Sequence, residues 1–261
     1  MFSFSFDKRI IYAIVAVMVF RTLYTYATIE GALLNLVLTI PGVLIAITFH
    51  EFAHAFIADK LGDDTPRRQG RLSLNPLAHL DPIGSLLLLF AGFGWGKPVQ
   101  VTSKNYKRTI TMEKGDAIVS IAGPIMNFIL AIVFTAITGA VLLATNSGIV
   151  FVGDGMAIIA SEPVVELGLK ILIYAVATNI GLGIFNLIPL PPLDGSKIIK
   201  PILPYKVKTF FANNEYIFYI IFVAIWITGV AGMIISPLIS AANTGLFKLI
   251  LPLFGLNLSL F

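Results

Sequence analysis

Long apolar runs separated by short polar segments set the plan of this chain. Five runs, at about residues 10–29, 32–58, 117–144, 164–187 and 216–235, are each long enough to cross a hydrocarbon core as a helix, which takes roughly 20 residues. Only Glu30 and Gly31 separate the first two clearly, so they are expected to form a tight helical hairpin, with Pro41 kinking or locally breaking the second helix. Two further stretches are apolar but irregular. Ile83 to Phe93 is too short to span as a helix, and the glycine-rich GFGWGKPVQV that follows reads as a hairpin or loop. The tail at about 245–261 is broken by Lys248, Pro252 and Gly255, and reads as a last span or an interfacial segment. The expected fold is an all-α polytopic membrane protein of five to six transmembrane helices. A small membrane-associated β-hairpin or re-entrant loop, at about 83–99, follows the second helix. The whole chain, 1–261, is expected to be one membrane-embedded domain.

Composition agrees with the pattern. Of 261 residues 57% are hydrophobic and 12% charged, with mean hydropathy +0.91, whereas soluble domains carry about 25% charged residues. The net charge of +4 does not point to nucleic acid, because the basic residues lie in the gaps between apolar runs. The first 30 residues lack a small-residue cleavage site after a short apolar core and read as a retained span; Arg21 within it can snorkel to the interface. With the N-terminus inside, the inner segments (the N-terminus, 59–116 and 194–215) hold 15 of the 18 Lys and Arg, the exceptions being Arg21, Lys170 and Lys248. That bias orients the chain with its N-terminus in the cytoplasm. It also requires the 83–99 stretch to enter and leave on one side, a path tolerated only where protein or a water cavity covers the backbone.

The chemistry enters at His50-Glu51-Phe52-Ala53-His54, at the cytoplasmic end of the second run. Residues four apart share one helix face, so His50 and His54 can bind one metal ion, with Glu51 beside them to take a proton from water. The bland alternative, a pair of satisfied core histidines beside a carboxylate, is costly within a membrane span. The chain has no cysteine and only three histidines, so a third ligand must be His79, a Glu or an Asp. His79 lies in a charged, exposed-looking loop. Asp194 follows Pro189, Pro191 and Pro192, which stop the fourth span at the membrane level of the histidines. Gly195 after it permits an unusual backbone angle. A turn-capping role is the alternative for Asp194. Asn127 and Asn186 lie in or at the end of apolar spans, where an amide serves either helix–helix hydrogen bonding or contact with a substrate or oxyanion.

HEFAH at 50–54 and NLIPLPPLDG at 186–195, with NPLAHLDPIG at 75–84, GWGKPV at 94–99 and AGPIMN at 122–127, together resemble the site-2 protease family of intramembrane zinc metalloproteases. The resemblance implies one zinc ion per chain, held by His50, His54 and Asp194, with Glu51 as catalytic base and Asn127 and Asn186 facing the site. It implies hydrolysis of peptide bonds in or near transmembrane segments of single-span proteins, in regulated proteolysis or signal-peptide remnant clearance. The edge of the glycine-rich hairpin would pair with an unwound substrate strand. The 145–163 linker is too short for a folded module, so a minimal core without PDZ or CBS modules is expected. The lipid bilayer and a transmembrane substrate are the expected partners, in a prokaryotic cytoplasmic membrane with the active-site mouth facing the cytoplasm. The competing functions are a divalent-metal transporter and a non-catalytic binder of membrane segments. A transporter would want ionisable residues along several spans, whereas here they cluster at one level; intact Glu51 argues against the binder.

Overall fold

The apolar runs become helices in the computed structural model, which describes residues 8–82, 84, 96–152, 155–160, 162–228 and 230–256. Helix α1 (Lys8–Thr28) turns through Ile29–Gly31 into α2 (Ala32–Leu61), which continues through Pro41. A short α3 (Thr65–Arg68) and, among the described residues, 3-10 turns at Pro76–Ala78 and Ser103–Asn105 precede α4 (Met112–Ala144), at whose start the Thr111 hydroxyl accepts from Lys114 N at 3.4 Å. Strands β1 (Gly148–Val152) and β2 (Gly155–Ile159) pair antiparallel, Gly148 opposite Ile159. Then follow α5 (Pro163–Asn186), α6 (Asp194–Ile199), α7 (Tyr205–Asn213), α8 (Glu215–Ile227) and α9 (Val230–Ile250).

Helices α2, α4 and α5 pack on one another most extensively and form the frame of the molecule. A buried apolar cluster closes one end of it. Leu142 from α4, Leu169 and Ile173 from α5 and Phe247 from α9 meet Ile149 and Phe151 of the hairpin there. The hairpin lies in the 145–163 segment, which reads from sequence as a plain linker. Its alternation of buried Ile149 and Phe151 with less buried neighbours is the period-2 pattern of a half-covered strand. Of the expected 83–99 loop, residues 83 and 85–95 lie outside the described residues. Its ends are joined by an antiparallel bridge between Leu80 and Gly96, and Lys97 N donates to the His79 carbonyl at 2.7 Å.

Among the described residues, four helical stretches are long and apolar enough to cross a membrane: Ala32–Leu61, Met112–Ala144, Pro163–Asn186 and Gly232–Phe254. The last overlaps the end of the expected 216–235 run and most of the described part of the 245–261 tail. Apolarity is continuous across residues 216–235, but the helix is interrupted at Thr228, whose hydroxyl turns back onto the Ala224 carbonyl at 2.8 Å. Helix α8 covers 13 residues of the 216–235 run, and residue 229, which follows Thr228, lies outside the described residues. Lys248, which breaks the pattern in sequence, sits 5.5 Å from the centroid of the Phe151 ring, so its charge meets an aromatic face.

Asp63 anchors the loops at the end of α2. Its side chain is fully buried and accepts from Thr65 N (3.1 Å), Thr65 Oγ1 (2.5 Å), Thr102 N (2.6 Å) and Asn105 Nδ2 (2.9 Å). Burial pushes the carboxyl upward, but the donors outweigh it and hold it below the ordinary value of 3.8. A depressed folded-state pKa contributes stability that is complete above the unfolded value and lost as pH falls below 3.8 through the folded one. Asp63→Ala is expected to destabilise the protein by roughly 2–4 kcal/mol in detergent unfolding at pH 7, because it strands several buried donors. The gap between wild type and Asp63→Asn should hold from pH 8 to about 5 and narrow below about 4.

Candidate metal centre

Helical geometry alone sets the first two groups. His50 and His54, one turn apart on α2, stand edge to face with ring centroids 4.6 Å apart. Asp194 arrives from far along the chain. Helix α5 stops at Asn186, and the turns through Leu190 and Leu193 bring the backbone round to start α6. Asp194 does not serve as the cap, since Leu193 occupies that position. Nor does Gly195 adopt the left-handed backbone expected of it. It is needed for a close approach instead: a side chain there would run into the Leu187 and Ile188 carbonyls where the chain doubles back on the end of α5.

The three side chains converge. His50 Nε2 and His54 Nε2 are 3.0 Å apart, and Asp194 Oδ2 lies 3.1 Å from each. Hydrogen bonding on the far side of each ring decides what these atoms offer. His54 Nδ1 lies 2.7 Å from the Val119 carbonyl, which can only accept, so Nδ1 carries the hydrogen. His50 Nδ1 lies 2.6 Å from Asn127 Oδ1. The Asn127 amide nitrogen donates to the Ala46 carbonyl (3.1 Å) and to Asn179 Oδ1 (3.0 Å), and Asn179 donates in turn to the Ala175 carbonyl (2.8 Å). That relay fixes Asn127 Oδ1 as acceptor and His50 Nδ1 as donor. In the neutral rings both Nε2 atoms therefore present lone pairs toward each other and toward a carboxylate oxygen. Three acceptors within 3.1 Å of one another repel unless a cation lies among them.

The donor set fits zinc. Two imidazoles and a carboxylate make a three-ligand open site, and their spacing is close to the roughly 3.3 Å edge of a tetrahedron with 2.0–2.1 Å bonds. The pinned Nδ1 atoms supply the outer hydrogen bonds that orient metal-binding histidines. Helix α4 leaves room for the group only because residue 123 is glycine. A Cβ there would stand 2.6 Å from His50 Cε1, His50 Nε2 and His54 Nε2.

A cavity of about 480 Å³ opens onto this cluster. Glu51 lines it beside the histidines, and its Oε2 accepts from the Val99 backbone N–H at 2.8 Å. Asn186 also lines it, with its amide nitrogen donating to the Leu182 carbonyl at 3.0 Å. Asn127 does not. It is fully buried behind His50 with both ends of its amide engaged, its Oδ1 on His50 Nδ1 and its nitrogen on the Ala46 carbonyl and Asn179 Oδ1. The reading of His79 is corrected. It is fully buried rather than exposed, with Nε2 2.8 Å from the Ser73 carbonyl, and it stands outside the cluster.

Three participants were not singled out from sequence. Asn179 carries the signal that flagged Asn127, an amide within an apolar span. The Val119 carbonyl and the Val99 N–H are backbone groups and leave no trace in residue identity.

Comparison with known proteins accounts for this arrangement. The model for Peptidase family M50 matches residues 94–229, which include Asn127, Asn186 and Asp194 and begin after the histidine pair. The Bacillus subtilis (strain 168) protein named "Putative zinc metalloprotease YwhC" is 36% identical over 213 residues, covering 81% of this chain and 90% of that protein. "Putative zinc metalloprotease Rip2" of Mycolicibacterium smegmatis is 32% identical over 173 residues, covering 63% of this chain and 57% of that protein. No solved structure matches the chain. A buried His–His–Asp cluster between apolar helices, a match to the family across half the chain and a relative alike over most of its length agree: the chain belongs to peptidase family M50, the site-2 protease family of metalloproteases.

Proposed function

We propose that this protein is an intramembrane zinc endopeptidase that cuts single-span membrane proteins in or near their transmembrane segments. One observation carries the reading: three oriented acceptors and a neighbouring glutamate share a cavity framed by helices apolar enough to cross a membrane. His50, His54 and Asp194 would hold one zinc ion, which would polarise the scissile carbonyl and lower the pKa of water toward 7.

The protein's own groups do the rest. Glu51 takes the proton of the attacking water and delivers it to the leaving amine. The Val99 N–H holds Oε2, so the carboxylate keeps one orientation through both transfers. Asn186, at the cavity wall, is placed to donate to substrate backbone or to the developing oxyanion. A substrate helix shields its own carbonyls, so it must unwind before it is cut, and segments containing Gly or Pro are preferred. The 97–101 segment, which follows the Leu80–Gly96 bridge and has Val99 N on Glu51, offers an edge against which an unwound strand can lie. The arrangement is a single membrane-embedded domain of five to six spans in a prokaryotic cytoplasmic membrane. Its N-terminus and site mouth face the cytoplasm, as the clustering of Lys and Arg supports.

The test uses the full chain in lipid vesicles with a panel of single-span segments that differ only in central Gly or Pro content. Mass spectrometry should place the cuts within or at the edge of the span, faster with the helix breakers and stopped by a zinc chelator. Cuts confined to soluble flanks, or indifferent to the chelator, would contradict the reading.

A further inference from the structure

The segment 97–101 lies between two cavities. Pro98, Val99 and Val101 line the Glu51 cavity, whereas Lys97 and Gln100 line a second cavity of about 470 Å³. Arg71 and Gln69 complete the polar part of that second cavity, and Leu77 stands at its rim.

Its charge is unbalanced. Arg71 is only 8% exposed, and among the described residues its side chain donates to the Ala78 carbonyl alone, with most of its five N–H donors left over there. A buried guanidinium without an anion is costly. The carboxylates of residues 59–81 have other partners: Asp59 has Arg67 at 2.7 Å, Asp64 has Arg68 at 2.8 Å, Asp63 has the loop donors, and Asp81 has Gly84 N at 2.7 Å. Among the described residues, neither Arg71 nor Lys97 has a carboxylate partner. Gln69 donates to Gln100 Oε1 at 2.9 Å, so the Gln100 amide nitrogen still has hydrogens to give.

The rim is apolar. Leu74 is 49% and Leu77 77% exposed on the loop beside the cavity. Two exposed leucines around a basic pocket, at the end of a helix apolar enough to span, describe a site at the level of lipid headgroups. We propose that this cavity binds the phosphate of an anionic phospholipid. Arg71 and Lys97 meet the oxyanion, Gln100 donates to it, and Leu74 and Leu77 lie against the upper acyl chain. Arg71 suits this place because its planar fork matches phosphate oxygens. A peptide carboxylate would satisfy the charge but would leave the leucines uncovered.

The test reads binding, so it stands apart from proteolysis. Purified full-length protein in neutral detergent receives phosphatidylglycerol, phosphatidylcholine or inorganic phosphate. Retained lipid is then counted by native mass spectrometry and the thermal midpoint measured. Phosphatidylglycerol should be retained and raise the midpoint, whereas phosphatidylcholine and inorganic phosphate should do neither. Lys97→Glu, on the exposed loop, should weaken phosphatidylglycerol retention by about tenfold or more, with the lipid-free midpoint close to wild type. Arg71→Lys keeps the charge but not the fork and should weaken retention by a smaller factor. Equal retention of both lipids, or undiminished retention in both variants, would overturn the proposal. A full midpoint shift with inorganic phosphate alone would overturn the lipid as its source.

Discussion

Glu51→Gln is expected to abolish cleavage while leaving metal binding and fold intact. The glutamine is isosteric and its carbonyl oxygen still accepts from the Val99 N–H, which holds the wild-type carboxylate at 2.8 Å. It cannot take a proton, however, and general-base catalysis contributes typically 10²–10⁴-fold, with the loss compounded when the same group must also protonate the leaving amine. A fall in kcat of roughly four orders of magnitude is expected, measured on a single-span substrate in vesicles. Zinc content should match wild type, since Glu51 is outside the ligand triangle. A variant that kept more than about a tenth of its rate would remove Glu51 from the role of base.

Gly123→Ala should have an effect of similar size by another route. The added methyl would stand 2.6 Å from ring atoms of both histidines. Neither ring can retreat freely, because His50 Nδ1 is pinned by Asn127 at 2.6 Å and His54 Nδ1 by the Val119 carbonyl at 2.7 Å. Either the rings turn and the ligand triangle opens, or α4 moves away from α2. Both outcomes remove the site while leaving most of the apolar packing in place. The expected result is loss of bound zinc and of activity, with an unfolding midpoint lowered by only a few degrees, as overpacking by one methyl costs about 1–3 kcal/mol. Wild-type zinc affinity in Gly123→Ala would show that α4 does not press on the histidines as closely as 2.6 Å implies.

The contrast between these two residues shows how far the sequence could be read. Glu51 is legible because H-E-x-x-H has a fixed helical spacing and each residue type has a chemical meaning. Asp194 was legible because prolines stop a span and charge bias sets the membrane level at which it stops. The structure does bring Asp194 to the histidines. Gly123, in contrast, reads only as a small residue for helix packing; that it faces both imidazoles depends on how α4 rotates against α2. Asn127 reads as a polar residue in an apolar span, which serves either helix–helix hydrogen bonding or substrate contact; the relay through Asn179 to the Ala175 carbonyl, which engages its amide, depends on packing that residue identity does not carry. His79 looked exposed because its neighbours are charged, yet the Leu80–Gly96 bridge folds the loop over it.

Composition marks the apolar runs but not where helices begin and end within them. Nothing in the apolarity of residues 216–235 marks the interruption at Thr228, whose side chain satisfies backbone carbonyls locally. The 148–159 hairpin was missed because five-residue strands between long spans carry little signal against so apolar a background.

Zinc content of the purified chain tests the central claim most directly. Elemental analysis of wild type, Glu51→Gln and Asp194→Asn, prepared side by side without added metal, should give one zinc per chain for the first two. For Asp194→Asn it should give less than about a tenth, because replacing the charged ligand leaves two neutral imidazoles. Full zinc occupancy in Asp194→Asn, or a wild type that holds none, would contradict the account.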